Sequence, residues 1–150
     1  MKVAVGADIN AFDLKEEISK YLEEQGFEVV DYGIYSKDPI DYPRVAASLA
    51  EGILAGEAER GILFCGTGIG MALAANKVKG IRAAQTHDTY SAERAELSNQ
   101  AQIITIGSKV IGVELAKQIV KAYLSVNFSF EGSGKDSARK VEEIMEMENK

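Results

Sequence analysis

Five short apolar runs, each followed by a stretch with helical spacing, leave this chain few folds to adopt. The runs cover 3–7, 27–31, 61–64, 80–84 and 102–106. After the first, Leu14, Ile18, Tyr21 and Leu22 mark one face of a helix over about 12–25, closed by Gly26. Further helices are predicted over about 44–55 and 71–77, from a loop and cap at His87, Asp88 and Thr89 to about 97, and over about 110–124. Strands that alternate strictly with helices form a parallel sheet covered on both faces. The stretches 33–40 and 128–135 read as loops, and a charged final helix spans about 137–147. In that helix Val141, Ile144, Met145 and Met147 make a narrow apolar stripe. Such a stripe fits its own domain or a neighbouring subunit equally well.

A chain of 150 residues suits one domain with a real core. Its net charge of −6 argues against a general binder of nucleic acid or anionic membranes. A small phosphorylated ligand needs only a local basic cluster and stays open. A single cysteine rules out an internal disulfide framework and a multi-cysteine zinc site, and a single histidine speaks against a His-rich metal site. With no signal peptide or long apolar span visible, the expectation is a cytoplasmic protein.

Chemistry concentrates in Gly61-Ile-Leu-Phe-Cys-Gly-Thr-Gly-Ile-Gly-Met-Ala-Leu-Ala-Ala-Asn76. An apolar strand ends at Cys65, a glycine turn follows, and a helix begins near Met71. Glycines allow close backbone approach and positive φ. Successive N–H groups and the helix N-terminus then point at negative charge. A thiol at that mouth is placed to act as thiolate nucleophile or base. The plain alternative is a buried free cysteine that packs as a small hydrophobe. The turn is no Walker loop, because no Gly-Lys-Ser/Thr follows, and its glycine spacing does not fit a dinucleotide fingerprint.

In open α/β sheets ligands bind at the carboxyl ends of strands, near the switch in strand order. Asp8, the Cys65 turn, His87 and Asn99 are read as loops of that kind, with Tyr42 in the loop before the second helix. Structural roles compete. Asp8 and His87 could be helix caps, Tyr42 a core residue, and Asn99 a helix terminus. Lys109, Lys135, Arg139 and Lys140 could be solvated surface charges.

Taken together, Asp8, Tyr42-Pro43, Cys65-Gly-Thr-Gly-Ile-Gly70, Ala74-Ala-Asn-Lys77, Gly80-Ile-Arg82, Ser98-Asn99 and the run from Gly107 to Lys117 resemble the ribose-5-phosphate isomerase B and galactose-6-phosphate isomerase family. The likeness covers nearly the whole chain, in order. It implies a Rossmann-like three-layer α/β/α sandwich with a five-stranded parallel sheet. It also implies a homodimer or dimer of dimers with shared sites, the final helix on a partner, and no metal or organic cofactor. The implied reaction is aldose–ketose isomerisation of a phosphorylated sugar through a cis-enediolate. By position, Cys65 moves the proton between C1 and C2. The amides of Gly66, Thr67, Gly68, Ile69 and Gly70 form the anion hole, where one key donor is worth about 3–4 kcal/mol. Thr67 and Asp8 handle hydroxyl protons, Tyr42 lines the sugar and Asn99 helps hold the enediolate. Lys109, Lys135, Arg139 and Lys140 match phosphate-binding positions where the family usually has arginines. Lysine lacks the bidentate fork, so the phosphate geometry differs.

Two departures bear on the substrate. Where the pentose enzymes usually carry histidines, this chain has Ile9 and Ser98. The second of those histidines is assigned to ring opening. A tetrose 4-phosphate has O4 esterified, cannot close a furanose and needs no ring opener. The stretch Thr86-His-Asp-Thr-Tyr-Ser-Ala-Glu-Arg94 also resembles the D-erythrulose-4-phosphate isomerase branch, with His87 orienting substrate or phosphate. Two readings stand beside this one. One is ribose-5-phosphate isomerisation with Ser98 or water opening the ring. The other is a non-catalytic sugar-phosphate-binding subunit, against which the intact Cys65 motif speaks.

Overall fold

The computed structural model describes residues 1–37, 39–132 and 134–149. Asp38 and Ser133, inside the two stretches read as loops, lie outside the described residues, as does Lys150. Among the described residues, β1 (Lys2–Ala7), β2 (Glu28–Asp31), β3 (Arg60–Cys65), β4 (Ala83–Gln85) and β5 (Ile103–Gly107) form one parallel sheet in the order β2-β1-β3-β5-β4. The α/β class and the five parallel strands match the sequence reading. Among the described residues, no helix is long and apolar enough to cross a membrane.

Two apolar layers hold the sandwich together. Helices α1 (Phe12–Glu24), α4 (Thr89–Leu97) and α5 (Val113–Leu124) cover one face with Ile18, Leu22, Ala92, Ala95, Ile119 and Val120. Helices α2 (Tyr42–Leu54) and α3 (Ile69–Asn76) cover the other with Val45, Leu49, Ile53, Met71 and Ala75. The chain therefore leaves β1 and β5 toward one face and leaves β3 toward the other. Crevices open where neighbouring strands part in this way. The carboxyl end of β3 lies between two of them.

Several element boundaries differ from the sequence reading, each for a local reason. Helix α2 starts at Tyr42 because Pro43 suits a first helical turn and needs no N–H partner there. Helix α5 starts at Val113 because residues 108–111 form a turn, with the Val110 and Ile111 N–H groups both donating to Gly107 O. Strand β4 starts only at Ala83. Gly80 has φ +92° and the Ile81 N–H closes a turn on Val78 O.

The last helix, α6 (Gly134–Glu146), begins three residues earlier than its spacing suggests (134 against 137). The segment bearing it is tied at both ends to the sheet's amino edge. At the near end, buried Arg60 donates to Tyr123 O, Val126 O and Asn127 Oδ1 and pairs with buried Glu96, which accepts the Phe128 N–H. At the far end the Gly80 N–H meets the Glu148 carboxylate at 3.0 Å. Val141 is buried against its own chain, while Ile144, Met145 and Met147 remain exposed.

Candidate active site

Cys65 closes β3 opposite Gly107 of β5. It is buried, and its sulfur accepts the Gly68 backbone N–H at 3.1 Å. That turn requires glycine. Gly68 has φ +78°, and a Cβ there would meet the Ile106 carbonyl carbon at 3.1 Å. Helix α3 starts on the next residue, so its unpaired N–H groups open toward the same place. Tyr42 stands over them: a Cβ on Gly70 would meet the Tyr42 ring at 2.6 Å. Lys109 flanks the other side. Its N–H donates to Gly66 O at 3.0 Å, and its Cδ lies 3.6 Å from where a Gly66 Cβ would be.

Asp8 directly follows β1, the neighbouring strand, and its N–H donates to Phe64 O at 3.2 Å. Its carboxylate accepts the Asn10 N–H at 3.0 Å and so caps a 3₁₀ turn over Ile9–Ala11 rather than α1 itself. The Ser108 hydroxyl donates to Asn10 O at 2.8 Å, lacing the loops after β1 and β5 across the end of β3.

His87 follows β4 but does not cap α4. Asp88 does, accepting the Ser91 N–H at 2.6 Å. The His87 Nε2 instead accepts the Gly107 N–H at 2.9 Å. That acceptor role places the proton of the neutral ring on Nδ1. Burial lowers the His87 pKa from its ordinary 6.5, against a weaker upward pull from Asp88. One edge therefore carries a thiol, backbone donors, a carboxylate, a tyrosine, a lysine and a neutral imidazole.

Ser98 and Asn99 are not on that edge, which corrects the reading that placed Asn99 at a strand's carboxyl end. Helix α4 runs back antiparallel to the strands, so its C-terminus lies where β3 and β5 begin. Ser98 is its C-cap, and the Ser98 hydroxyl accepts Arg94 Nε at 2.8 Å. The Gly61 N–H donates to Gln102 O beside them. The four strand steps from Gly61 to Cys65 span about 13 Å at ~3.3 Å each. Lys135, Arg139 and Lys140 ride on α6. Arg139 pairs with Asp136 and Glu143, and Lys140 with Asp136. Among the described residues, none of the three bonds to the glycine turn. Of the basic candidates, only Lys109 is brought to Cys65 within one chain.

The family model described as "Ribose/Galactose Isomerase" matches residues 3–144. The chain belongs to the ribose/galactose isomerase family. It is 55% identical to the D-erythrulose-4-phosphate isomerase of Pectobacterium atrosepticum, with 96% of this chain and 93% of that one covered. It is 43% identical to the ribose-5-P isomerase B of Listeria innocua, with 100% and 99% covered. The solved structure of Clostridium thermocellum ribose-5-phosphate isomerase B superposes with TM-score 0.93 at 40% identity, covering 99% and 98%. This member of the ribose/galactose isomerase family is thus an enzyme, a sugar-phosphate isomerase.

Sequence reasoning missed residues that this isomerase places behind the turn. The Gln85 Nε2 donates to Thr67 O and the Thr105 hydroxyl donates to Gly68 O, each at 2.7 Å. Thr105 is fully buried between Ile104 and Ile106. A hydroxyl in so apolar a run was the available signal, because a buried polar group needs a partner.

Proposed function

We propose that this isomerase interconverts D-erythrulose 4-phosphate and D-erythrose 4-phosphate without a cofactor. The observation that carries the substrate choice is Ser98, which stands where the pentose enzymes carry the histidine assigned to ring opening; Ile9, exposed beside Asp8, replaces their other histidine. The 55% identity to a relative named for the tetrose supports the same choice. In the ketose-to-aldose direction, the Cys65 thiolate removes a proton from C1. The electron pair moves into the C1–C2 bond, and charge builds on the C2 oxygen. Donors of the turn from Gly66 to Gly70 stabilise that oxyanion, and Cys65 returns the proton to C2. Asp8 and Thr67 exchange the hydroxyl protons, Tyr42 bounds the sugar, and His87 offers Nδ1–H to substrate or phosphate.

Ser98, Asn99, Lys135, Arg139 and Lys140 join this site only from a second copy of the chain. The reading is therefore of a dimer with each site shared across the interface, Lys109 and the partner's basic helix binding phosphate. Exposed Ile69 and Leu73 on α3, beside the turn, supply an apolar strip suited to such an interface.

A second reading, ribose 5-phosphate, rests on the relatives named for it at 43% and 40% identity. It assigns ring opening to Ser98 or water.

The chemistry is tested by turnover of D-erythrulose 4-phosphate in deuterium oxide, followed by NMR. Carbon-bound deuterium appears in the wild type as the thiol exchanges with solvent. In Cys65→Ala it falls by about 10³-fold or more, with binding of inorganic phosphate kept within a few-fold. Turnover in Cys65→Ala at the wild-type rate would remove Cys65 as the base.

A further inference from the structure

We propose that Thr105 and Gln85, an adjacent pair on β5 and β4, are positioning residues that aim the N–H groups of the glycine turn, that of Gly68 at the Cys65 sulfur and that of Ile69 at the reacting oxygen. The inference rests on the anion-hole reading above.

The two residues are cross-strand partners, Gln85 opposite Thr105, with Leu63 of β3 on the other side of Thr105. Both side chains reach the turn that follows β3. In a trans peptide the C=O and the N–H point in opposite directions. Holding a carbonyl down therefore aims the next residue's N–H away from the holder. Gln85 holds Thr67 O at 2.7 Å, and the same peptide's N–H, that of Gly68, points at Cys65 Sγ. Thr105 holds Gly68 O at 2.7 Å. That oxygen also accepts the first helical bond, from Ala72 N–H at 3.1 Å. The same peptide's N–H belongs to Ile69 and turns outward, meeting only the Thr67 hydroxyl at 3.2 Å.

Both peptides are thus oriented from behind before substrate arrives. Donors that need no reorganisation as charge develops are the ones that lower a barrier most. The close seat of the turn agrees: a Cβ on Gly68 would meet Thr105 Oγ1 at 3.2 Å, and one on Gly107 would meet the Thr67 backbone at 2.6 Å. Packing alone would fill the Thr105 position with valine. A hydroxyl is there because Gly68 O accepts it.

The test uses two inhibitors of the intact enzyme. One is the hydroxamate of D-glyceric acid 3-phosphate, whose nitrogen and carbonyl carbon stand for C1 and C2 of the planar anionic enediolate. The other is D-erythritol 4-phosphate, which has the phosphate and no such group. The wild type binds the hydroxamate at least about tenfold tighter. In Thr105→Val that preference collapses toward one and kcat falls about tenfold or more, while KM and erythritol phosphate binding stay within about twofold. Thr105→Ser, which keeps the hydroxyl, restores both. Gln85→Leu, at an exposed position, repeats the loss and decides the matter should Thr105→Val not fold. A wild type that prefers the hydroxamate, with variants that keep the full preference or with Thr105→Ser no better than Thr105→Val, overturns the positioning role alone. A wild type with no preference overturns the anion-hole reading and this inference with it.

Discussion

The Gly68 backbone N–H points at the Cys65 sulfur from 3.1 Å. The proposed base and the first proposed donor of the anion hole therefore lie in one turn of chain, and the conformation of one residue sets both. That residue has φ +78°, and a Cβ there would crowd the Ile106 backbone at 3.1 Å. Gly68→Ala should lose about 1–2 kcal/mol of stability from the left-handed backbone. Its kcat should fall by more than that loss explains, because the donor moves. Urea unfolding and steady-state kinetics on the same preparation check both effects. An alanine variant with wild-type kcat would show that the turn's geometry does not matter to catalysis.

A site shared between copies makes a sharper prediction. On the shared-site proposal, Cys65→Ala and Asn99→Ala disable opposite halves of each site. Every mixed dimer then keeps one intact site, so an equal mixture of exchanged subunits should recover about a quarter of wild-type activity. Each parent alone stays near background. A mixture as inactive as its parents, with mixed dimers demonstrated by mass, would place both halves of the site in one chain.

His87 links stability to pH. Its pKa is lowered in the folded state by burial, so the unfolded chain takes up the proton first. The stabilisation is fully present above the unfolded value near 6.5 and is lost as pH falls through the lower folded value. It is the only histidine in the chain. His87→Gln keeps an acceptor for the Gly107 N–H and does not titrate. Its Tm should fall less than that of the wild type between about pH 8 and about pH 5.5. Equal slopes in a thermal scan would place the His87 ring in solvent.

The strands and the Cys65 turn were legible because both depend on local pattern. Val3 to Ala7 and Ile103 to Ile106 are buried on both faces, with Thr105 the one polar residue among them, as parallel strands covered on both sides must be. Cys65 and its glycines are contiguous. What pattern does not carry is where a helix ends in space. Ser98 and Asn99 sit two strands' worth of chain from Gln85, yet α4 returns them to the opposite edge of the sheet. The residues behind the turn were hidden for the same reason. Gln85 and Thr105 meet only through strand register, and the hold of His87 on Gly107 passes between strands. Asp88 took the cap, because a carboxylate one residue before α4 reaches the Ser91 N–H. Lys109 was legible as a basic residue and not as a neighbour of Gly66, because the turn over 108–111 replaced the expected first turn of α5.

The central claim concerns the substrate. The decisive measurement is kcat/KM of the purified enzyme on D-erythrulose 4-phosphate and D-ribose 5-phosphate, side by side. The account predicts a preference for the tetrose of about a hundredfold or more, near 2.7 kcal/mol of transition-state discrimination. A preference for ribose 5-phosphate would contradict it and assign ring opening to Ser98 or water.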